Sequence, residues 1–448
     1  MNQLRTWTNE RPDWALAAYG AIIVVAAFAA PSLHRTFGGA AWFALLLCWA
    51  LLAYAAARFS PRVTVGSALT IIVVAAALMR LALLTEAPYL SSDMYRYIWD
   101  GRVQAAGINP YLYVPAAPEL AHLRDAAIYP NINRADYAPT IYPPVAQMLF
   151  WAITRFGDSV NAMKLGLLAF DALTIAAIVG LLRAMQMPAS WVIAYAWHPL
   201  PVWEIAGNGH VDIAMIGLLF SGLWIFARTG GTFFAGAVVA AAAFIKPTAL
   251  LAMPVLWRPW DWRLPAILIG IGALVYTPYL SAGRRVFGFL AGYVAEEELS
   301  SGGGFRYLAM LQRITGPIPG AAAIYVAVMA AILIALAVKA GFRGDRSITA
   351  AVRWLGVLLI AFLLLLTPHY PWYYLALVPY LALGRWLTPW VLTTTSFILY
   401  NVIDNDRVPS FDTREMILHV LALAALVYDV WGARLRSAVF PAHREVHP

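Results

Sequence analysis

The sequence predicts an all-α, polytopic integral membrane bundle, and three observations carry that reading. Hydrophobic residues make up 62% of the 448 residues and charged residues only 12%, far from the balance of soluble domains. Apolar runs recur that suit a hydrocarbon core about 30 Å thick, which takes about 20 helical residues to cross. Runs such as 21–30, 238–244 and 355–366 are continuous, whereas strands of a membrane β-barrel alternate apolar and polar positions. A water-soluble enzyme and a disordered chain are both excluded.

Three spans open the chain, near 13–31, 39–57 and 64–85. Arg58 and Arg62 lie between the second and third, which by the positive-inside rule puts the N-terminus in the cytoplasm. The first run has the length of a full span and two more follow at once, so it reads as an uncleaved anchor rather than a signal peptide. The third span emerges outside into the longest polar stretch, 86–142, rich in Tyr, Asn, Asp and Pro.

Later apolar stretches lie near 162–182, 190–205, 211–227, 232–257, 264–281, 321–339, 349–367, 371–384, 388–403 and 415–433. Two segments decide the topology. The piece 143–156 is short for a span, and 232–257 is long but interrupted by Lys246-Pro247, where proline removes a backbone donor and clashes with the preceding turn. With 143–156 at the interface and 232–257 hinged into two short helices, Arg183, Arg228, Arg258, Arg263, Lys339, Arg343, Arg346, Arg385, Arg434 and Arg436 all fall in the cytoplasm. That choice gives about 12 to 14 spans. It makes one transmembrane domain over 1–448, with external loops at 86–142 and 282–320 and no terminus long enough to fold alone. Glu204, Asn208, His210, Asp212 and Lys246 then share the outer side with the long loop.

The net charge of +8 is spread over short loops, which fits membrane topology and speaks against nucleic acid as a partner. Cys48 is the single cysteine, so an intrachain disulfide and a cysteine-based metal site are both excluded.

The outer loop opens with Ser91-Ser92-Asp93-Met94-Tyr95-Arg96-Tyr97-Ile98-Trp99-Asp100. An acid just beyond a span, followed by aromatic and arginine positions at helical spacing, suits a general base held over a bilayer-facing pocket. The same residues also suit an interfacial amphipathic helix with Asp93 as its N-cap and aromatic rings at headgroup level. Lys246 beside a proline break is costly inside an apolar stretch and marks function, or else snorkels from a helix end. Glu204, Asn208, His210 and Asp212 lie within nine residues. They suit sugar or acceptor binding, capping of the helix beginning near Val211, or a divalent cation. Asp171 in mid-span is a substrate contact or a bundle contact. Glu296, Glu297 and Glu298 read as a solvated face, and Asp404 with Asp406 as a solvated turn.

Together these segments resemble the GT-C glycosyltransferases, in particular bacterial polyprenol-phosphate-mannose-dependent mannosyltransferases. The run from Ser92 to Tyr111 with Tyr142-Pro143-Pro144 is similar to their first external loop, with its short interfacial helices. His198-Pro199-Leu200 with Glu204, Asn208-Gly209-His210-Val211-Asp212, Lys246-Pro247-Thr248 and Pro368-His369-Tyr370-Pro371-Trp372-Tyr373-Tyr374 follow in the same order. Three opening spans, where many relatives have one, are the departure.

The resemblance implies transfer of a hexose, mannose by family frequency, from a polyprenyl-phosphate donor to a lipid or glycan acceptor. Asp93 is implied as general base, with inversion. Lys246, Arg306, His369 and Arg96 are implied to face the leaving phosphate, whose developing charge calls for fixed cations or donors. Glu204, Asn208, His210, Asp212, Tyr95, Asp100, Tyr370 and Trp372 are the expected sugar or acceptor contacts. No cofactor is required on this reading, although some superfamily members employ a divalent cation, and no residue set is assigned to a metal. Alanine and arginine usage suggests a bacterial cytoplasmic membrane, with the site facing the periplasm. The alternative is a multi-pass transporter or lipid flippase, which places paired ionisable residues near the midplane and shows internal repeats.

Overall fold

The computed structural model describes residues 11–400 and 410–439, with side chains as far as Gly432. Asp404 and Asp406 lie outside the described residues, as do the side chains of Arg434 and Arg436. Among the described residues there is no strand, and eight helical stretches are long and apolar enough to cross a membrane. The protein is a polytopic helical membrane bundle.

Helix α1 (Pro12–Phe59) has 48 residues, about 72 Å at the α-helical rise and more than twice the bilayer core. Gly38, at φ 77° and ψ −178°, interrupts it, so α1 is two apolar rods joined at a glycine kink. Helix α2 (Val65–Leu84) packs on it. At the end of α2, Lys164 of α5 (Val160–Ala184) donates from Nζ to the carbonyls of Leu83 at 3.1 Å and Glu86 at 2.6 Å. A buried ammonium thus closes carbonyls that a helix end leaves open.

The segment 86–142 contains α3 (Asp93–Ala105) and two short 3₁₀ turns, Pro118–Leu123 and Tyr129–Asn131, matching the short helices expected there. It has a small core of its own around Trp99, Val103, Leu120 and Ile132. Helix α4 (Pro144–Phe156) has 13 residues, about 20 Å and too short to cross alone. It lies against α3 so closely that a Cβ on Gly101 would meet the Phe150 carbonyl at 2.5 Å. Only glycine permits that approach.

Residues 189–207 form a buried but broken passage of a 3₁₀ turn, two short α turns and a π-helical stretch, Val202–Gly207. Backbone freed by the breaks needs partners in an apolar interior. Trp49 Nε1 donates to the Trp197 carbonyl at 2.7 Å, and Arg80 Nη1 to that of Ala196 at 2.6 Å. Arg80 Nε also meets Asp171 Oδ2 at 2.7 Å, while the Tyr195 hydroxyl donates to Asp171 Oδ1 at 2.6 Å. Asp171 is therefore a bundle contact.

Helices α6 (Asp212–Thr229) and α7 (Thr232–Ala243) follow as an antiparallel pair. The chain then breaks where the sequence places the hinge: Lys246 is extended, and Pro247–Ala252 is a 3₁₀ turn. Helix α8 (Arg263–Tyr276) leads into the segment 282–320, which contains α9 (Leu290–Glu296) and α10 (Arg306–Thr315). Helices α11 (Ala321–Gly341) and α12 (Ile348–Leu366) come next, α11 with almost its whole surface facing outward. After them lie broken pieces over 371–383, α13 (Leu387–Thr395) and α14 (Phe411–Val439).

The expected 12 to 14 spans counted 190–205, 371–384 and 388–403 as crossings. The structure breaks 190–205 and 371–384 at Pro199, Pro371 and Pro379, each opening a new short turn, because proline lacks the donor that would continue the preceding helix, whereas Pro389 lies within α13.

Candidate functional site

Asp93 is the first residue of α3, and Ser92 occupies the N-cap position without a side-chain capping bond. The N-cap role considered for Asp93 is corrected accordingly. Its carboxylate accepts from Asn133 Nδ2 at 3.1 Å. Burial raises the Asp93 carboxyl above the ordinary aspartate value; the Lys246 charge and the Asn133 bond oppose that rise, and the Asp212 charge adds to it. A carboxylate that holds protons more tightly is the stronger base once ionised.

Asp93 opens onto a cavity of about 550 Å³ whose wall includes Asn133, Arg134, Lys246, Tyr370 and Tyr373. That volume lies within the range of about 300–1,000 Å³ common for small-molecule sites. The segments 86–142 and 282–320 meet beside it. Arg134 Nε lies 2.5 Å from Glu296 Oε2, and the Tyr137 hydroxyl donates to Glu296 Oε1 at 2.9 Å. Glu296, itself exposed, fastens one segment to the other, and Glu297 lines the cavity, so the reading of this acidic run as a solvated face does not hold for Glu297.

Lys246 reaches the cavity because the hinge leaves it extended between α7 and the following turn. Its ammonium donates to both oxygens of Asp212, at 2.7 and 2.8 Å, and lies 4.9 Å from the centre of the Tyr373 ring. Asp212 begins α6 with Val211 at the N-cap, and the helix start has no side-chain cap. Its carboxylate serves the lysine, so the capping alternative is corrected.

Glu204, Asn208 and His210 lie behind this pair, all buried. Asn208 Nδ2 donates to Glu204 Oε2 at 3.1 Å, and the Tyr400 hydroxyl to both Glu204 oxygens at 2.8 and 2.9 Å. His210 Nε2 stands 3.3 Å from Glu204 Oε2. Gly209, at φ 69°, turns the chain between Asn208 and His210 where a Cβ would overlap Met94, which ties this turn to α3. The His210 ring stacks on Trp372 at 4.1 Å and 18°, and Trp372 on Tyr370 at 4.5 Å and 11°. Two rings stacked at such distances cannot share one face, so His210 and Tyr370 sandwich Trp372. Tyr370 and Trp372 both line the cavity, and the Tyr370 ring also lies 6.5 Å from that of Tyr373 at 22°.

The remaining expected residues are held by other partners. Arg96 borders the cavity, but its guanidinium is taken up by Asp100, at 2.8 Å, and by the Ala138 carbonyl, at 3.0 Å. Asp100 is buried between Arg96 and Gln147 Nε2, the latter at 2.9 Å. Tyr95 packs between the bundle core and the small loop core. Neither Tyr95 nor Asp100 is on the cavity wall. Arg306 is bound by Asp412 and Glu415 and links α10 to α14. His369 lies next door, in a small hollow shared with Tyr370 and Tyr373, with Nδ1 3.5 Å from Glu297 Oε2 and Nε2 3.5 Å from Glu415 Oε1. Among the described residues no cluster of three His, Cys, Asp or Glu side chains is arranged to hold a metal ion.

Asn133, Arg134, Tyr293 and Tyr400 escaped sequence reasoning. Asn133 is forty residues from Asp93 in a stretch without helical periodicity, and Tyr400 ends a segment that reads simply as apolar. No local spacing signals either one.

Residues 9–260 match the family described as alpha-(1->6)-mannopyranosyltransferase, N-terminal domain. The chain is 28% identical over 188 residues to alpha-(1->6)-mannopyranosyltransferase A of Mycobacterium tuberculosis, covering 40% of this chain and 34% of that protein. It is also 28% identical over 189 residues to alpha-(1->6)-mannopyranosyltransferase A of Corynebacterium glutamicum, covering 40% of this chain and 37% of that protein. The matches thus span little more than a third of these curated relatives. No solved structure matches the chain.

Proposed function

This chain belongs to the alpha-(1->6)-mannopyranosyltransferase N-terminal-domain family, and on that premise we propose that it transfers mannose from a polyprenyl-phosphate donor to a hydroxyl of a lipid or glycan acceptor. The observation that carries the proposal is the Asp93 carboxylate, held by Asn133 at the edge of a large cavity that Lys246 also enters.

In the proposed reaction the acceptor hydroxyl attacks the anomeric carbon while Asp93 takes its proton. The carbon–oxygen bond to phosphate breaks, its electron pair leaves with the phosphate, and the anomeric configuration inverts. A hydroxyl is a weak nucleophile until its proton is being removed, so a carboxylate within hydrogen-bond reach is the first requirement. We assign the charge developing on the phosphate to Lys246, which faces the cavity already fixed by Asp212 and Tyr373. Tyr370 supplies a ring face for the sugar. No cofactor enters this scheme. The polyprenyl tail stays in lipid, and the chemistry takes place at headgroup level on the periplasmic side of a bacterial cytoplasmic membrane.

The test is transfer of radiolabelled mannose from a polyprenyl-phosphate donor to membrane extract, comparing the purified full chain with Asp93→Asn. The substitution keeps size and hydrogen bonding but removes the base. Product formation falls by about 10²-fold or more if Asp93 is the base. Undiminished transfer by a folded Asp93→Asn protein moves the base elsewhere, and no transfer by the wild type with any polyprenyl-phosphate sugar defeats the proposal.

A further inference from the structure

A second polar hollow lies at the far end of α6, a helix about 27 Å long. Asp212 at one end of α6 serves the cavity above, while Phe226, Ala227 and Gly230 at the other end line a hollow of about 200 Å³. Arg258, Arg343 and Arg346 complete its polar wall. Among the described residues none of the three pairs with a carboxylate. Arg343, only 8% exposed, donates to the carbonyls of Ala340 and Val255, both at 2.7 Å, and its Nε has no partner. Arg346 donates to the carbonyls of Trp257 at 3.0 Å and Gly341 at 2.8 Å. Arg258 reaches only the Gly230 carbonyl, at 3.5 Å. The nearby Asp345 carboxylate accepts from the Ser347 N–H at 2.8 Å.

Three guanidinium groups around one small hollow repel one another unless an anion joins them. Burial and the neighbouring Arg346 charge push the Arg343 guanidinium down from its ordinary value, with Asp345 opposing. The surroundings identify the source of the anion. Trp260 and Trp262 stand beside the hollow, 86% and 73% exposed, as interfacial anchors do. Val255, Leu256 and Ile348 give the hollow an apolar wall, and the adjoining helix α11 turns nearly its whole surface outward. The site thus combines cations at headgroup depth with apolar surface for acyl chains.

We propose that Arg258, Arg343 and Arg346 bind the phosphate of an anionic phospholipid in the leaflet opposite the Asp93 cavity. The lipid fastens the segment before α8, which carries Arg258, to the α11–α12 turn, which carries Arg343 and Arg346, by charge, and it is distinct from any donor or acceptor. Basic pockets between membrane helices favour such headgroups, each arginine contributing about fivefold in affinity.

The experiment is native mass spectrometry and thermal unfolding of the full chain, delipidated in detergent and titrated with phosphatidylglycerol, phosphatidylcholine or inorganic phosphate. Arg258→Gln with Arg346→Gln is the variant of choice, since Arg343 also supports two carbonyls. The expected result is a retained phosphatidylglycerol and a stabilising shift that phosphatidylcholine does not reproduce, with affinity about 25-fold lower in the double variant. An equal shift with inorganic phosphate assigns the hollow to a free anion and overturns the lipid proposal. Equal phosphatidylglycerol binding by the folded double variant overturns the site itself.

Discussion

Replacing Asn133 by alanine separates the tuning of Asp93 from its presence. The amide donates to Asp93 Oδ1 at 3.1 Å and so favours the ionised form. A hydrogen bond to a charged group contributes about 1.5–3 kcal/mol, and the lower figure applies because Asp93 is half-buried beside an open cavity. Its loss raises the Asp93 carboxyl further, in the direction that burial already moves it. On the acid limb of the rate profile activity follows the fraction of carboxylate. The variant therefore loses about tenfold there, since about 1.4 kcal/mol is a factor of ten, and keeps its rate on the alkaline plateau. The assay is kcat/KM for mannosyl transfer against pH, wild type and Asn133→Ala together. A uniform loss at every pH, with the acid limb unmoved, refutes the reasoning and leaves Asn133 a purely geometric role.

Two further outcomes follow from the same structure. Burial holds the Asp93 carboxyl above its unfolded value, so the stability linked to its proton is fully present below the unfolded value and lost as pH rises through the folded one. Asp93→Asn accordingly unfolds at a higher temperature than wild type near neutral pH in differential scanning fluorimetry, and the gap closes on acidification. In the bundle, Asp171→Asn removes the charge partner of Arg80, buried at 2.7 Å, and costs about 3–5 kcal/mol. Replacing both residues by leucine recovers much of that loss, which a chemical-denaturation double-mutant cycle in detergent reads directly.

The sequence alone conveyed the class, the kink regions and the hinge, because hydropathy and proline act locally. The apolar stretches 13–31 and 39–57 become α1 on either side of Gly38, and Lys246-Pro247 breaks the chain where proline chemistry requires. Asp93, Lys246 and Tyr370 stand out as polar or aromatic residues at the ends of apolar runs, and the fold brings them to one cavity. Their partners were hidden. Nothing in the spacing says that Arg96 and Asp100 satisfy each other, that Arg306 turns to the carboxylates of α14, or that Tyr400 closes on Glu204 across 196 residues. Those pairings are set by packing between distant segments, and no local pattern encodes them.

The broken passage over 189–207 has a consequence for biogenesis. A continuous helix satisfies its own backbone and can enter lipid before it meets its neighbours, whereas an interrupted one brings open polar groups with it. Here the carbonyls of Ala196 and Trp197 are met by Arg80 of α2 and Trp49 of α1. An unmet carbonyl in hydrocarbon costs several kcal/mol. Insertion of this passage is thus inseparable from docking on helices translated before it, and the translocation machinery must release α1 and α2 as an assembled receiving surface rather than as separate rods.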